Sequence, residues 1–194
     1  MRSTIALLPL IFALGCAACD KPNPGNEQAT ATVPEDSDAA PANAAGERAD
    51  RIDRSHAGEA APTTPFKAPD GKTVTLADFT GKPLLLNLWA TWCAPCIREM
   101  PTLDALAVRE AGKLRVMTIS QDLEGAAKVT PFFEKAGFKA LQPWLDTDVA
   151  FSTGLGVNLP TTILYDSAGK EVWRVSGDTD WAGATAAAWI AEAE

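Results

Sequence analysis

The chain reads as an α/β domain in which a mixed central β-sheet is flanked by helices. Three observations carry this. Leu84-Leu85-Leu86-Asn87-Leu88-Trp89 is a continuous apolar run between turn signals, the pattern of a strand buried on both faces. Leu114 to Ser120 reads as a second buried strand, and a helical stretch separates the two. Near the C-terminus Thr161 to Tyr165 and Glu171 to Val175 flank Asp166-Ser167-Ala168-Gly169-Lys170, a strand–turn–strand signature that adds an antiparallel pair.

Taken in order, the 194 residues divide into three parts and hold one ordinary domain. Residues 1–19 have the make-up of an export signal. Met1 and Arg2 precede the apolar run Ile5 to Leu14, which is too short to span a bilayer stably. The run closes on small residues around cysteine, Gly15-Cys16-Ala17-Ala18-Cys19, and Phe12 to Cys16 resembles a bacterial lipobox. That resemblance implies lipidation of Cys16 (or Cys19), with a cleaved signal or an uncleaved anchor as alternatives. In each case the domain lies outside the cytoplasm, in a bacterial periplasm and attached to the membrane.

Residues 20–61 are rich in Ala, Pro, Asn, Asp and Glu and lack helix or strand periodicity, so they are expected to form a disordered tether. About 40 such residues reach roughly 35 Å on average. The tether serves either as a leash towards membrane partners or as a plain spacer. His56, the only histidine, falls in it and reads as a solvated linker residue. The formal charge of −8 is concentrated here, and no basic stripe speaks for a nucleic-acid partner.

The folded domain is expected over residues 62–194. Phe66-Lys67-Ala68 and Lys72 to Leu76 surround Pro69-Asp70-Gly71 and predict an N-terminal β-hairpin extension. After the first core strand a helix runs from near Cys93 to Ala111, with Pro101 inside it predicting a kink. A second helix covers Glu124 to Ala136 and stops at Gly137. The closing helix spans Asp180 to Glu192, capped by Thr179 or Asp178.

The chemistry concentrates at Trp92-Cys93-Ala94-Pro95-Cys96, where the first core strand meets its helix. A zinc site needs four ligands, and the folded part offers no second CxxC and no histidine. A permanent structural disulfide is compatible with export, but a clip within one helical turn restrains very little. A redox pair uses every local feature. Cys93, exposed at the helix start, is the nucleophile, because the N-terminal dipole favours its thiolate. Cys96, one turn further in and shielded, resolves the mixed disulfide. Ala94 and Pro95 form the active-site turn, with Pro95 removing an N–H that would otherwise lack a partner.

Asn87 to Cys96, with Glu99 and Pro101, resembles the thioredoxin superfamily, and more narrowly the TlpA/ResA-like periplasmic thiol–disulfide reductases. The likeness extends from about Phe66 to Ile190. It implies a thioredoxin-like fold, no cofactor beyond the Cys93–Cys96 disulfide, and no metal. It also implies that Pro160 is a cis proline facing the dithiol, with the Leu159 backbone pairing to an extended partner segment. Without the family, Pro160 reads as a loop residue before a strand.

Asn87 stands where thioredoxins carry a buried aspartate. Glu99 matches a glutamate that ResA-like proteins place near the cysteines. It reads either as the acceptor of the Cys96 proton or as an exposed helix carboxylate. Trp92 is expected to shield the thiolate and to offer apolar contact surface. Trp89 reads as core, and Trp173, Trp181 and Trp189 as core or surface packing.

The uncharged Ala94-Pro95 dipeptide favours a reductant or isomerase-type role over that of a strong oxidant. The implied partners are protein disulfide substrates, in cytochrome or oxidase maturation, and a membrane dithiol electron donor; the protein itself reads as a monomer. Two other functions fit the same fold. A peroxiredoxin-type peroxidase would need a hydroxyl residue where Ala90 stands. A copper-binding chaperone using Cys93 and Cys96 would need a histidine, and the only one falls in the tether.

Overall fold

The computed structural model describes residues 51–193. The expected signal segment, Cys16, Cys19 and the tether up to residue 50 lie outside the described residues. Eight strands form one mixed sheet: β1 (Ile52–Asp53), β2 (Phe66–Lys67), β3 (Thr73–Val74), β4 (Leu84–Trp89), β5 (Arg115–Ser120), β6 (Trp144–Leu145), β7 (Thr161–Tyr165) and β8 (Glu171–Ser176). Their spatial order is β1-β8-β7-β4-β5-β6-β2-β3. β4 and β5 run parallel, as do β5 and β6, whereas β7 is antiparallel to both β4 and β8. The helices are α1 (Ala94–Arg109), α2 (Ala126–Ala136), α3 (Ala150–Leu155) and α4 (Ala184–Ile190).

Every residue of β4 is buried, as its unbroken apolar run predicts. Strand alternation then splits the core in two. Leu85, Trp89 and Cys96 belong to one apolar cluster, together with Met100, Leu103, Trp173 and Trp181. Leu84, Leu86 and Leu88 point to the opposite face and pack with Phe66, Met117, Phe151 and Ile163. Asn87 shares the parity of Leu85 and Trp89, so period-2 alternation sends its side chain towards α1. That parity is what brings a polar strand residue to the redox helix.

β2 and β3 pair antiparallel, with Phe66 opposite Val74. Three expectations change. Composition places residues 51–61 in the tether, yet Ile52 and Asp53 pair with Val175 and Arg174 of β8. Further along, Gly58 N–H donates to Glu171 O at 2.7 Å and Ala61 N–H to Gly169 O at 2.9 Å. The outer edge of β8 carries backbone groups that need partners, and this short segment supplies them. Its composition conceals that role. His56 is half-buried there and lies 3.1 Å from the Glu59 carboxylate.

The closing helix is also shorter than expected and begins after Gly183, with no side-chain cap from Asp178 or Thr179. Residues 178–181 are held elsewhere: Thr179 N–H donates to Glu99 and Trp181 N–H to Thr102 Oγ. Finally, β6 and α3 add elements that the pattern reading did not separate from loop.

Candidate active site

Cys93 is the N-cap of α1, and Pro95 occupies its first turn. Cys93 and Cys96 are joined by a disulfide with S–S 1.99 Å and Cα–Cα 5.3 Å. The Cys96 N–H points at Cys93 Sγ, 3.3 Å away. A helix-terminal N–H aimed at sulfur stabilises negative charge there, so the geometry favours a thiolate on the first cysteine after reduction.

Cys93 is less exposed than predicted. It retains 6% of its surface, against none for Cys96. Trp89, Met100 and their neighbours pack in one cluster with both cysteines. Trp92, by contrast, is 71% exposed. The Leu159–Pro160 peptide bond is cis, as the family resemblance implies, with Pro160 buried and Leu159 half-buried.

Glu99 lies three residues after Cys96, which puts both on one helix face with Cβ atoms roughly 5–6 Å apart. It is buried, not an exposed helix carboxylate. Its Oε1 accepts from Asn87 Nδ2 at 2.7 Å, and the same amide nitrogen donates to Thr162 Oγ1 at 2.9 Å. Its Oε2 accepts from Thr179 N–H at 3.1 Å and from Trp181 Nε1 at 3.0 Å. Burial raises the carboxyl from 4.5 to about 7, and nearby Asp178 adds to the rise. The hydrogen bonds from Trp181, Asn87 and Thr179 act in the opposite direction. A carboxyl poised near neutral pH beside a thiol can take a proton and return it.

Sequence reasoning missed two groups. Trp181 reads from the sequence as packing; it does stack on Trp173, with centroids 6.5 Å apart, but its indole N–H donates to Glu99. The second is Asp122. It is buried beyond the end of β5, and its Oδ2 accepts from Thr91 N–H at 2.9 Å and Ser120 Oγ at 2.7 Å. Its Oδ1 accepts from Thr91 Oγ1 at 2.6 Å. The loop carrying Trp92 and Cys93 is therefore fastened to the neighbouring strand's end. The only signal for this was an acidic residue at a parallel strand's C-terminal end, where sites in α/β sheets gather.

Replacing Asp122 with alanine leaves three donors without their acceptor. Asp122→Ala is expected to lower stability by about 3 kcal/mol in chemical denaturation. A loss under about 1 kcal/mol would show that the Thr91 contact is incidental.

Among the described residues, no group of three or more His, Cys, Asp or Glu side chains is placed to hold a metal ion. A cis-proline loop, a dithiol at a strand–helix junction and a mixed sheet define a thiol–disulfide exchange protein of the thioredoxin kind. Comparison with known proteins agrees. Residues 56–188 match the redoxin family model, and the chain belongs to that family.

It is 32% identical over 123 residues to the thiol-disulfide oxidoreductase ResA of Bacillus thuringiensis strain Al Hakam, covering 62% of this chain and 70% of that one. A thioredoxin-like protein of Bacillus subtilis, YneN, is 43% identical over 63 residues, 32% of this chain and 37% of its own length. Among solved structures, the exposed lipoprotein thioredoxin Etrx1 of Streptococcus pneumoniae superposes with TM-score 0.56 at 25% identity. That match covers 66% of this chain and 96% of that one. The protein is a thiol–disulfide oxidoreductase of the ResA type, with Cys93 and Cys96 as its CxxC pair.

Proposed function

We propose that this protein is an extracytoplasmic, membrane-tethered reductase of protein disulfides, working through Cys93 and Cys96. The observation that carries this is the pairing of a barely accessible Cys93 with a fully buried Cys96 beside a buried Glu99. The Cys93 thiolate attacks one sulfur of a partner disulfide. A Cys93–partner disulfide forms and the partner's other sulfur leaves as thiolate. Cys96 then gives its proton to Glu99, and its thiolate attacks Cys93 Sγ. The second partner sulfur leaves, and two electrons have passed to the partner. A membrane dithiol donor restores the reduced pair.

Trp92 and Leu123, both exposed, follow the fastened residues Thr91 and Asp122 and offer apolar surface to the partner polypeptide. The Leu159 backbone, before the cis Pro160, supplies an extended edge for it. The lipobox-like Cys16 (or Cys19), the uncharged Ala94-Pro95 pair and the likeness to an exposed lipoprotein thioredoxin support a tethered reductant. Maturation of cytochromes or oxidases suits such a reductant, since apoprotein thiols must be kept reduced outside the cytoplasm.

Cys96→Ser removes the resolving thiol and is expected to hold partners on Cys93 as mixed disulfides in the membrane fraction of native cells. Partners released by dithiothreitol and absent from the Cys93→Ser/Cys96→Ser control identify the substrates. An empty trap would overturn the proposal.

A further inference from the structure

Glu99 is not held by its own helix. Two of its three donors, Thr179 N–H and Trp181 Nε1, come from one connection between β8 and α4. That connection has no helix or strand to stiffen it. The side chain that gathers its first residues belongs to the residue in front of β1. Arg51 Nη2 donates to Ser176 O at 2.8 Å, Gly177 O at 3.1 Å and Asp178 O at 3.2 Å, and lies 3.4 Å from Thr179 Oγ1. Convergence of three carbonyls on one guanidinium nitrogen gives charge-assisted bonds, stronger than neutral ones.

The bend is shaped to receive that group. Gly177 has φ +83°, and a Cβ at this position would stand 3.3 Å from Arg51 Nη2. A glycine therefore permits both the backbone conformation and the close approach. Two other ties meet the bend: the Gly177 N–H donates to Pro160 O at 2.9 Å, and Arg98 of α1 meets Asp178 at 3.0 Å, the latter a weak pair with both side chains exposed.

We infer that Arg51 is a positioning residue of the redox site: it pins the bend at Ser176–Thr179 and thereby holds the donors that orient the Glu99 carboxylate towards Cys96. The inference rests on the reading of Glu99 as acceptor of the Cys96 proton. It also gives the strand pairing of β1 with β8 a functional consequence, because that pairing delivers Arg51 to the bend.

The groups facing Glu99 are few. Asp178 acts from the bend, while β4 contributes the uncharged Asn87, itself bonded to Thr162 of β7. Arg98 reaches Asp178 from the solvent side. Releasing the bend withdraws the Thr179 N–H first, since Trp181 is fixed by its own burial in the core. A carboxylate that loses a donor holds its proton to higher pH.

The test uses the full chain in the oxidised state and follows the Trp181 indole N–H by nitrogen-15 NMR across pH 5 to 9, with Trp181→Phe for assignment. In the parent this signal titrates with Glu99. Arg51→Ala is expected to raise the midpoint by about half a pH unit or more. Arg51→Lys, which keeps the charge and a terminal nitrogen donor, should fall between the two and also serves should the alanine variant unfold. A midpoint unchanged or lowered in the folded variants would overturn the inference.

The pH profile of the resolving step, measured on the same variants in single turnover, separates the two readings. A shifted indole titration with an unshifted profile leaves Arg51 as the positioner and removes Glu99 from proton transfer.

Discussion

Cys93→Ser is expected to abolish disulfide exchange, lowering the rate of insulin reduction by at least about a thousandfold, to the level of the added reductant alone. Cys96→Ser should behave differently. Its first attack on a disulfide proceeds at close to the parental rate, and one equivalent of leaving thiol is released before the reaction stalls.

The asymmetry follows from the helix. Cys93 is the N-cap and receives the Cys96 N–H at 3.3 Å, so its thiolate is stabilised. Cys96 begins the buried face, with no surface for a partner's sulfur to approach. Stopped-flow release of a chromophoric thiol distinguishes the two variants. A Cys93→Ser variant that still gives a burst through Cys96 would reverse the assignment of roles. Rapid turnover of peroxide at Cys93 would instead favour the peroxidase chemistry that Ala90 argues against.

Local features of the sequence told most of the central sheet. β4 and β5 are runs of five or more residues with a single reading, and β7 and β8 are joined by a turn whose residue types demand it. The cysteines, Asn87 and Glu99 fall within thirteen residues, so spacing on one strand and one helix brings them together. What stayed hidden is contact at long range.

β1 is two residues long, and only an unpaired edge of β8, far along the chain, makes it a strand. The same holds for Asp122, whose role depends on parallel pairing of β4 with β5, and for Thr162, brought opposite Asn87 by β7. The closing helix starts late for a related reason. Thr179 and Trp181 carry donors that Glu99 and Thr102 take up, and a local capping rule has no term for that competition.

Glu99→Gln is expected to slow the resolving step by about a hundredfold, with attack by Cys93 little changed. Glutamine cannot accept the Cys96 proton, so the thiol must lose it to water through a closed core. The rate limb that the parent shows near pH 7 should disappear. Stability gives a second, independent reading of the same carboxyl.

Burial raises it from 4.5 to about 7, so between those values the folded protein binds more protons than the unfolded chain. Stability is then greatest below about pH 4.5 as far as this group is concerned. It falls as pH rises through the window and levels off above pH 7, a total of about 3 kcal/mol. In Glu99→Gln that slope vanishes.

The variant's absolute stability is a poor guide, because the glutamine NH2 replaces one of the two acceptors that face donors from Asn87 on one side and from Thr179 and Trp181 on the other, a change felt at every pH. The pH slope is free of that offset. Denaturation of the oxidised protein at pH 5 and pH 8 therefore isolates the titration of Glu99. A slope retained in Glu99→Gln would assign it to another group, and a parental resolving rate would leave Glu99 with a purely structural part.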